Sequence, residues 1–227
     1  MKCLCIVLCL ASFVSADVIN DRNTLNSLLG PSAIYEGFEK FDIAPGTNEW
    51  LDTYHLDRLT VINGQGPEIV QAGAAYISGR KQYDDDFIWQ GDGYEGLESQ
   101  TFAAIGYVSP GRMTLMYDPP VDIFGIDLLE FAGTEQYMEV RIYNPNSELL
   151  GRYQVIVDGT EGPSFFGYQS DPIDVSNEIR RVEIDGGLRL MIDNHTFQAV
   201  PEPSSLGPLA MGVLGFYFPR NNRIKNP

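Results

Sequence analysis

Between Ile34 and Phe197 the chain runs in short stretches of β-branched and aromatic residues, broken by Gly, Pro, Asn and Asp. This rhythm belongs to strands joined by tight turns. Residues 137–143 are the clearest case: Met138, Val140 and Ile142 alternate with Glu139 and Arg141, so one face is apolar and the other wet. Asn144-Pro145-Asn146-Ser147 supplies a turn, and residues 149–157 return as the next strand of a hairpin. Further strands are predicted at 74–77, 87–89, 102–108, 112–117, 123–129, 165–168, 179–184 and 188–192, with Gly186-Gly187 as a tight turn between the last two. A short helix is predicted at 23–29 with Asn23 as its cap. No long apolar period of 3.6 residues lies between the termini, and no internal repeat is visible. The pattern predicts an all-β domain, an antiparallel jelly-roll-like β-sandwich.

The two ends depart from this pattern. Lys2 precedes an apolar run at 3–14 that closes on Val14-Ser15-Ala16. A positive charge, a greasy core and small residues before a cleavage point are the parts of a secretion signal. The run is shorter than the about 20 residues needed to span a hydrocarbon core, so cleavage between Ala16 and Asp17 is expected, with the secretion translocon and signal peptidase as partners. At the other end Val200-Pro201-Glu202-Pro203-Ser204-Ser205 leads into an apolar segment carrying Leu206, Leu209, Val213, Leu214, Phe216 and Phe218, followed by Arg220, Arg223 and Lys225. The chain thus divides into a signal peptide (1–16), a β-sandwich domain (17–198) and a tail (199–227) made of a motif, a short hydrophobic helix and a basic end.

Cysteine usage and charge then narrow the chemistry. Cys3, Cys5 and Cys9 all fall within the signal, so the mature domain has neither disulfides nor thiolate chemistry. Formal charge is −16, and the body is more acidic still, because four of the five charged residues in the terminal segments are basic. Nucleic acid and anionic lipid are poor partners for such a body.

The order of the tail resembles the PEP-CTERM sorting signal of bacteria that build exopolysaccharide matrices; this tail type also carries an ice-binding label. The resemblance rests on Val200-Pro201-Glu202-Pro203 with the apolar run and basic end behind it. It implies recognition by an exosortase, a membrane-embedded cysteine protease-transpeptidase, with processing at or near the Pro-Glu-Pro motif. Physical reasoning fits: two prolines hold the motif extended and present Glu202 between rigid flanks. A helix over 206–218 would span only about 20 Å at 1.5 Å per residue, a marginal anchor suited to transient membrane attachment. The terminal basic residues would stay cytoplasmic, leaving the domain outside. From Pro119 onward the body also resembles the domain found ahead of such tails, through Pro120-Val121-Asp122-Ile123-Phe124-Gly125-Ile126-Asp127, Phe165-Phe166-Gly167 and Ile192-Asp193-Asn194, with Glu36-Gly37-Phe38-Glu39 as its opening strand.

Two side-chain constellations are candidate sites. Glu36 or Glu39 and Asp193 are candidate ligands of a structural calcium ion if their strands are neighbours, since hard oxygen donors suit that ion. The other reading makes them solvent-facing carboxylates alternating with core Phe38 and Ile192. Asp84, Asp85 and Asp86 with Trp89 and Tyr94 are candidate glycan contacts: an aromatic ring stacks on a pyranose face while carboxylates accept hydroxyl protons. Here the other reading is a solvated acidic loop beside core aromatics.

Catalytic signatures are missing. The sequence has no G-x-S-x-G, no H-E-x-x-H and no E-x-D-x-x-E, and its two histidines, His55 and His195, are isolated. No cofactor is implied. The sequence therefore reads as an exported, non-enzymatic protein of the cell surface or matrix, transiently anchored in the inner membrane, with exopolysaccharide as a candidate partner. Two alternatives remain, a carbohydrate-active enzyme on a jelly roll and a ligand-free spacer. N-terminal sequencing of the exported protein is expected to read Asp17-Val18-Ile19; a chain still starting at Met1 would overturn the signal assignment.

Overall fold

The computed structural model describes residues 16–79, 87–92, 99–105, 111–130, 135–158, 162–171, 175–186 and 189–199. In chain order the elements are β1 (Asp17–Ile19), α1 (Arg22–Leu28), β2 (Ile34–Glu36), β3 (Asn48–Leu51), β4 (His55–Leu56), β5 (Ala74–Ser78) and β6 (Phe87–Gln90). They continue with β7 (Thr101–Ile105), β8 (Arg112–Glu130), β9 (Glu135–Tyr143), β10 (Leu149–Asp158), β11 (Ser164–Gln169), a 3₁₀ turn (Val175–Asn177), β12 (Ile179–Asp185) and β13 (Arg189–Ala199). All pairings between these strands are antiparallel. The expected all-β antiparallel sandwich is what the chain forms.

Alternation explains the first layer. In β9 and β12, Met138, Val140, Ile142, Val182 and Ile184 are buried, with Ile142 opposite Val182 and Val140 opposite Ile184. Their alternates Glu139, Arg141, Glu183 and Asp185 lie on the other face, joined by Arg112 and Arg152 in ion pairs that mostly cross between strands. Arg181 adds its guanidinium 4.2 Å over the Tyr143 ring. The strand order of this layer is β10-β9-β12-β8-β5-β4.

The strand β8 makes the second layer as well. Its first part, through Tyr117, pairs with β12 and β5, whereas Ile123 to Leu128 pair with β11 on one side and β13 on the other. Residues 112–117 and 123–129, expected as separate strands, are the two halves of one 19-residue strand. The changeover falls at Asp118-Pro119-Pro120, where two residues lack the N–H that a ladder needs. The inward phase also changes there, from Met113, Leu115 and Tyr117 to Phe124, Ile126 and Leu128, so both halves face a single core. The second layer runs β1-β11-β8-β13-β7-β6-β3, with β2 beside the far half of β13.

The helix begins one residue earlier than predicted. Asp21, rather than Asn23, caps it, accepting the Thr24 N–H at 2.9 Å. Its only buried residue, Leu25, packs with Ile19 and Ile123 against the outer face of the second layer. Gly125 makes that approach possible, because a Cβ there would press on Leu25 and lie 2.8 Å from the Phe165 ring. Among the described residues no helix is long and apolar enough to cross a membrane.

Gly125→Ala is accordingly expected to lower unfolding stability by about 1–3 kcal/mol through overpacking. Urea midpoints check this, and an unchanged midpoint would mean that α1 does not depend on the missing side chain.

Candidate functional site

The polar residues that the fold gathers lie around a bulge in β13. Asp193 stands opposite Asp127 and Thr196 opposite Gly125, so β13 spends one more residue than β8 over that span. Asn194 sits in the bulge with a φ of 48°, a left-handed conformation that Asn tolerates better than most residues. The extra residue reverses the inside-outside alternation. Ile192 points into the core, and beyond the bulge His195 and Phe197 do so, while Asp193 and Thr196 turn to the face carrying α1.

On that outer face the carboxylates are already engaged. Arg22, from the first turn of α1, donates from Nη2 to Asp127 Oδ1 at 2.7 Å and to the Asn194 carbonyl at 2.9 Å, and from Nη1 to Thr196 Oγ1 at 3.3 Å. Asn194 Nδ2 donates to Asp127 Oδ2 at 2.9 Å and to Asp193 Oδ2 at 3.2 Å. Asp193 also accepts from Ser99 Oγ and from the Asn194 N–H, each at 2.6 Å. The exposed Tyr35 reaches over the group and donates its hydroxyl to Asn194 Oδ1. Burial pushes the Asp193 carboxyl up to about 6, against the Ser99 and Asn194 hydrogen bonds, with the charges of Asp127 and Glu39 adding to the rise.

Beneath the bulge the enclosed histidine has its own partners. His195 is wholly buried; the Tyr76 hydroxyl lies 2.8 Å from Nδ1 and the Tyr117 hydroxyl 3.0 Å from Nε2. A neutral imidazole has one donor and one acceptor, so one tyrosine donates to the ring and the other accepts from it. Burial, followed by the nearby positive charge of Arg22, holds the ring neutral with its pKa lowered to about 3. Glu36 faces His195 across the β2–β13 ladder, and its carboxylate accepts the Phe38 N–H at 2.7 Å and the Gln71 N–H at 2.5 Å.

These positions answer the sequence readings one by one. β2 and β13 are neighbours, yet Glu36 spends both oxygens inside on backbone N–H groups, while Glu39 accepts the Gln100 N–H at 3.1 Å. Among the described residues no group of three or more His, Asp or Glu is arranged to hold a metal ion. Trp89 lies in the core, its ring within 4.9–5.9 Å of Phe41, Phe102 and Phe38 and its Nε1 donating to the Phe38 carbonyl, so no face is open for a sugar. Asp84, Asp85, Asp86 and Tyr94, residues 1–15, Gly187 and the tail 200–227 lie outside the described residues.

One open concavity was not legible in the sequence. A cleft of about 490 Å³ lies over β5 and the first half of β8, lined there by Gly73, Ala74, Ala75 and Met116. Asp57, Arg58, Asp118 and Arg180 contribute charged side chains to its lining, and Leu59 to its apolar part. Residues 57–59 precede β5, Asp118 sits at the corner of β8 and Arg180 near the start of β12. No local motif announces a site drawn from four separated segments.

No protein-family model matches the chain, and no curated protein matches it. Solved structures of similar architecture include a DUF4465 family protein from Bacteroides caccae, 10% identical over 74% of this chain and 99% of that one, at a TM-score of 0.45. A xylan-binding family 22 module from Paenibacillus barcinonensis is 11% identical over 74% and 93% of the two chains at 0.36. A family 22 carbohydrate-binding module from Clostridium thermocellum is 12% identical over 55% and 85% at 0.36. At these values the likeness says nothing about what this chain binds.

The buried groups oppose one another in acid. Between pH 3.8 and about 6 folded Asp193 keeps a proton that the unfolded chain has lost, so acidification through that window adds stability. Between pH 6.5 and about 3 the unfolded chain protonates His195 and the folded chain does not. Acidification there removes up to about 1.4 kcal/mol per pH unit. Asp193→Asn deletes only the first effect. Urea unfolding at several pH values is expected to show the variant losing stability more steeply than the wild type from about pH 6 to about pH 4; parallel curves would overturn this account.

Proposed function

We propose that the chain is an exported bacterial protein of the cell surface or extracellular matrix, a non-catalytic β-sandwich that contacts polysaccharide through the cleft over β5 and β8. The observation that carries this reading is the cleft itself, a concavity of about 490 Å³ whose lining combines Gly73, Ala74 and Ala75 with hydrogen-bonding groups of both signs. Its size falls within the range of about 300–1,000 Å³ usual for ligand sites. Binding is favoured over turnover by where the perturbed groups lie: His195 is sealed between Tyr76 and Tyr117, and Asp193 is bonded to Ser99 and Asn194. A general acid or base must reach its substrate.

Export and sorting rest on the two ends. β1 starts at Asp17, the first residue after the predicted cleavage point, and the sequence motif Val200-Pro201-Glu202-Pro203 follows the β13 segment Arg189–Ala199 in the chain. The motif would be presented to exosortase, with transient inner-membrane anchoring by the apolar segment behind it.

Mass spectrometry of the protein recovered from cells tests the sorting half. Truncation near Pro203 is expected, and an intact C terminus at Pro227 would overturn it. Incubation with bound polysaccharide is expected to release no reducing sugar; steady release would replace the binding reading with an enzymatic one.

A further inference from the structure

Given that reading of the body as polysaccharide-binding, we propose that the cleft selects a neutral glycan, a hexopyranose chain without carboxylate or sulfate groups, through the carboxylate–guanidinium pair Asp118–Arg180. Charge makes the first argument. The chain carries −16 overall, yet the charged residues lining the cleft are two aspartates and two arginines, which sum to zero. An acidic polymer would approach against the field of the whole protein and meet Asp57 and Asp118 in the same lining as the arginines. A metal cation would meet Arg58 and Arg180.

The pairing makes the second argument. Arg180 Nη1 lies 3.0 Å from Asp118 Oδ1, with side chains 34% and 87% exposed, so both ends of the pair are reachable from solvent. A carboxylate accepts only and a guanidinium donates only. Side by side they match two adjacent sugar hydroxyls, one donating to Asp118 and its neighbour accepting from Arg180. A neutral sugar offers that combination along its ring without displacing Asp118 from Arg180, as an anion would have to do.

The lining turn at 57–60 is set before any ligand arrives. Asp57 Oδ1 accepts from the Leu59 N–H and from Thr60 Oγ1, each at 2.9 Å, while Thr60 N–H donates to the Asp57 carbonyl at 3.1 Å. The Arg58 carbonyl in turn accepts the Glu68 N–H at 2.7 Å. This turn holds Leu59 outward at 71% exposure, although an isoleucine or leucine in contact with water gains nothing by being fixed there. Against the apolar C–H face of a pyranose ring it becomes a packing surface, in a cleft that Met116 also lines. A turn ordered in advance lowers the entropy lost on binding.

Affinity gel electrophoresis of the full chain, with a β-glucan, a mannan, a galactan or a polyuronate in the gel, tests the proposal. At least one neutral polymer is expected to retard the wild type more than the polyuronate does. Arg180→Ala and Asp118→Ala are each expected to weaken that retardation about tenfold, the loss of one hydrogen bond to a charged group. Thermal midpoints should stay within a degree or so of wild type, since both side chains lie at the surface. Stronger retardation by the polyuronate would overturn the neutral class while leaving polysaccharide binding in place. Neutral retardation unchanged in both variants would overturn the cleft as its site. Absence of retardation by every polymer would overturn the polysaccharide reading itself.

Discussion

The strand β8 is the member on which both layers depend. One half lies between β12 and β5 and the other between β11 and β13, so the two sheets share a backbone before they share a core. The two prolines after Asp118 interrupt the ladder at the changeover, and the inward alternation is reset across it. Because the halves are covalently continuous, the position of Met113, Leu115 and Tyr117 in one layer determines where Phe124, Ile126 and Leu128 can meet them from the other. The cleft follows from the same corner, for Asp118 leaves the first sheet where β5 and the turn after β4 leave room beside it.

A second constraint is the single extra residue of β13. Without it, regular alternation from Ile192 would carry Asn194 and Thr196 into the core and turn His195 and Phe197 outward. With it, a histidine enters the apolar interior and two carboxylates gather beneath Arg22 on the outer face. Around the bulge the buried polar groups find partners: the imidazole between two tyrosine hydroxyls, Glu36 on two backbone N–H groups, and Asp127 on a guanidinium and an amide. Burial without such partners would cost several kcal/mol per group. These groups hold the sandwich together and are not available to a ligand, which separates them from the open, exposed charges of the cleft.

Legibility differed between face and site for a physical reason. Period-two alternation in β9, β12 and the first half of β8 is local, and it announces a strand and its buried side together. Trp89 misled as a glycan contact because flanking acidic residues say nothing about which way a short strand presents its rings, and Phe38 and Phe41 come from over forty positions earlier. The calcium reading was conditional on neighbouring strands, which β2 and β13 are, but the sequence had no means of showing that backbone N–H groups from residues 38 and 71 would occupy Glu36.

By itself, then, the sequence determined the all-β antiparallel class, most of the strands, and the contrast between the acidic body and its two apolar ends. Each is a property of neighbours along the chain, where side-chain alternation and composition act directly. Tertiary structure alone decided that 112–117 and 123–129 are one strand, that a bulge sends His195 inward, and that Asp57, Arg58, Asp118 and Arg180 line a common cleft. Those outcomes depend on register and on packing between segments distant in sequence, and a register one residue different would have exchanged every inward side chain for an outward one.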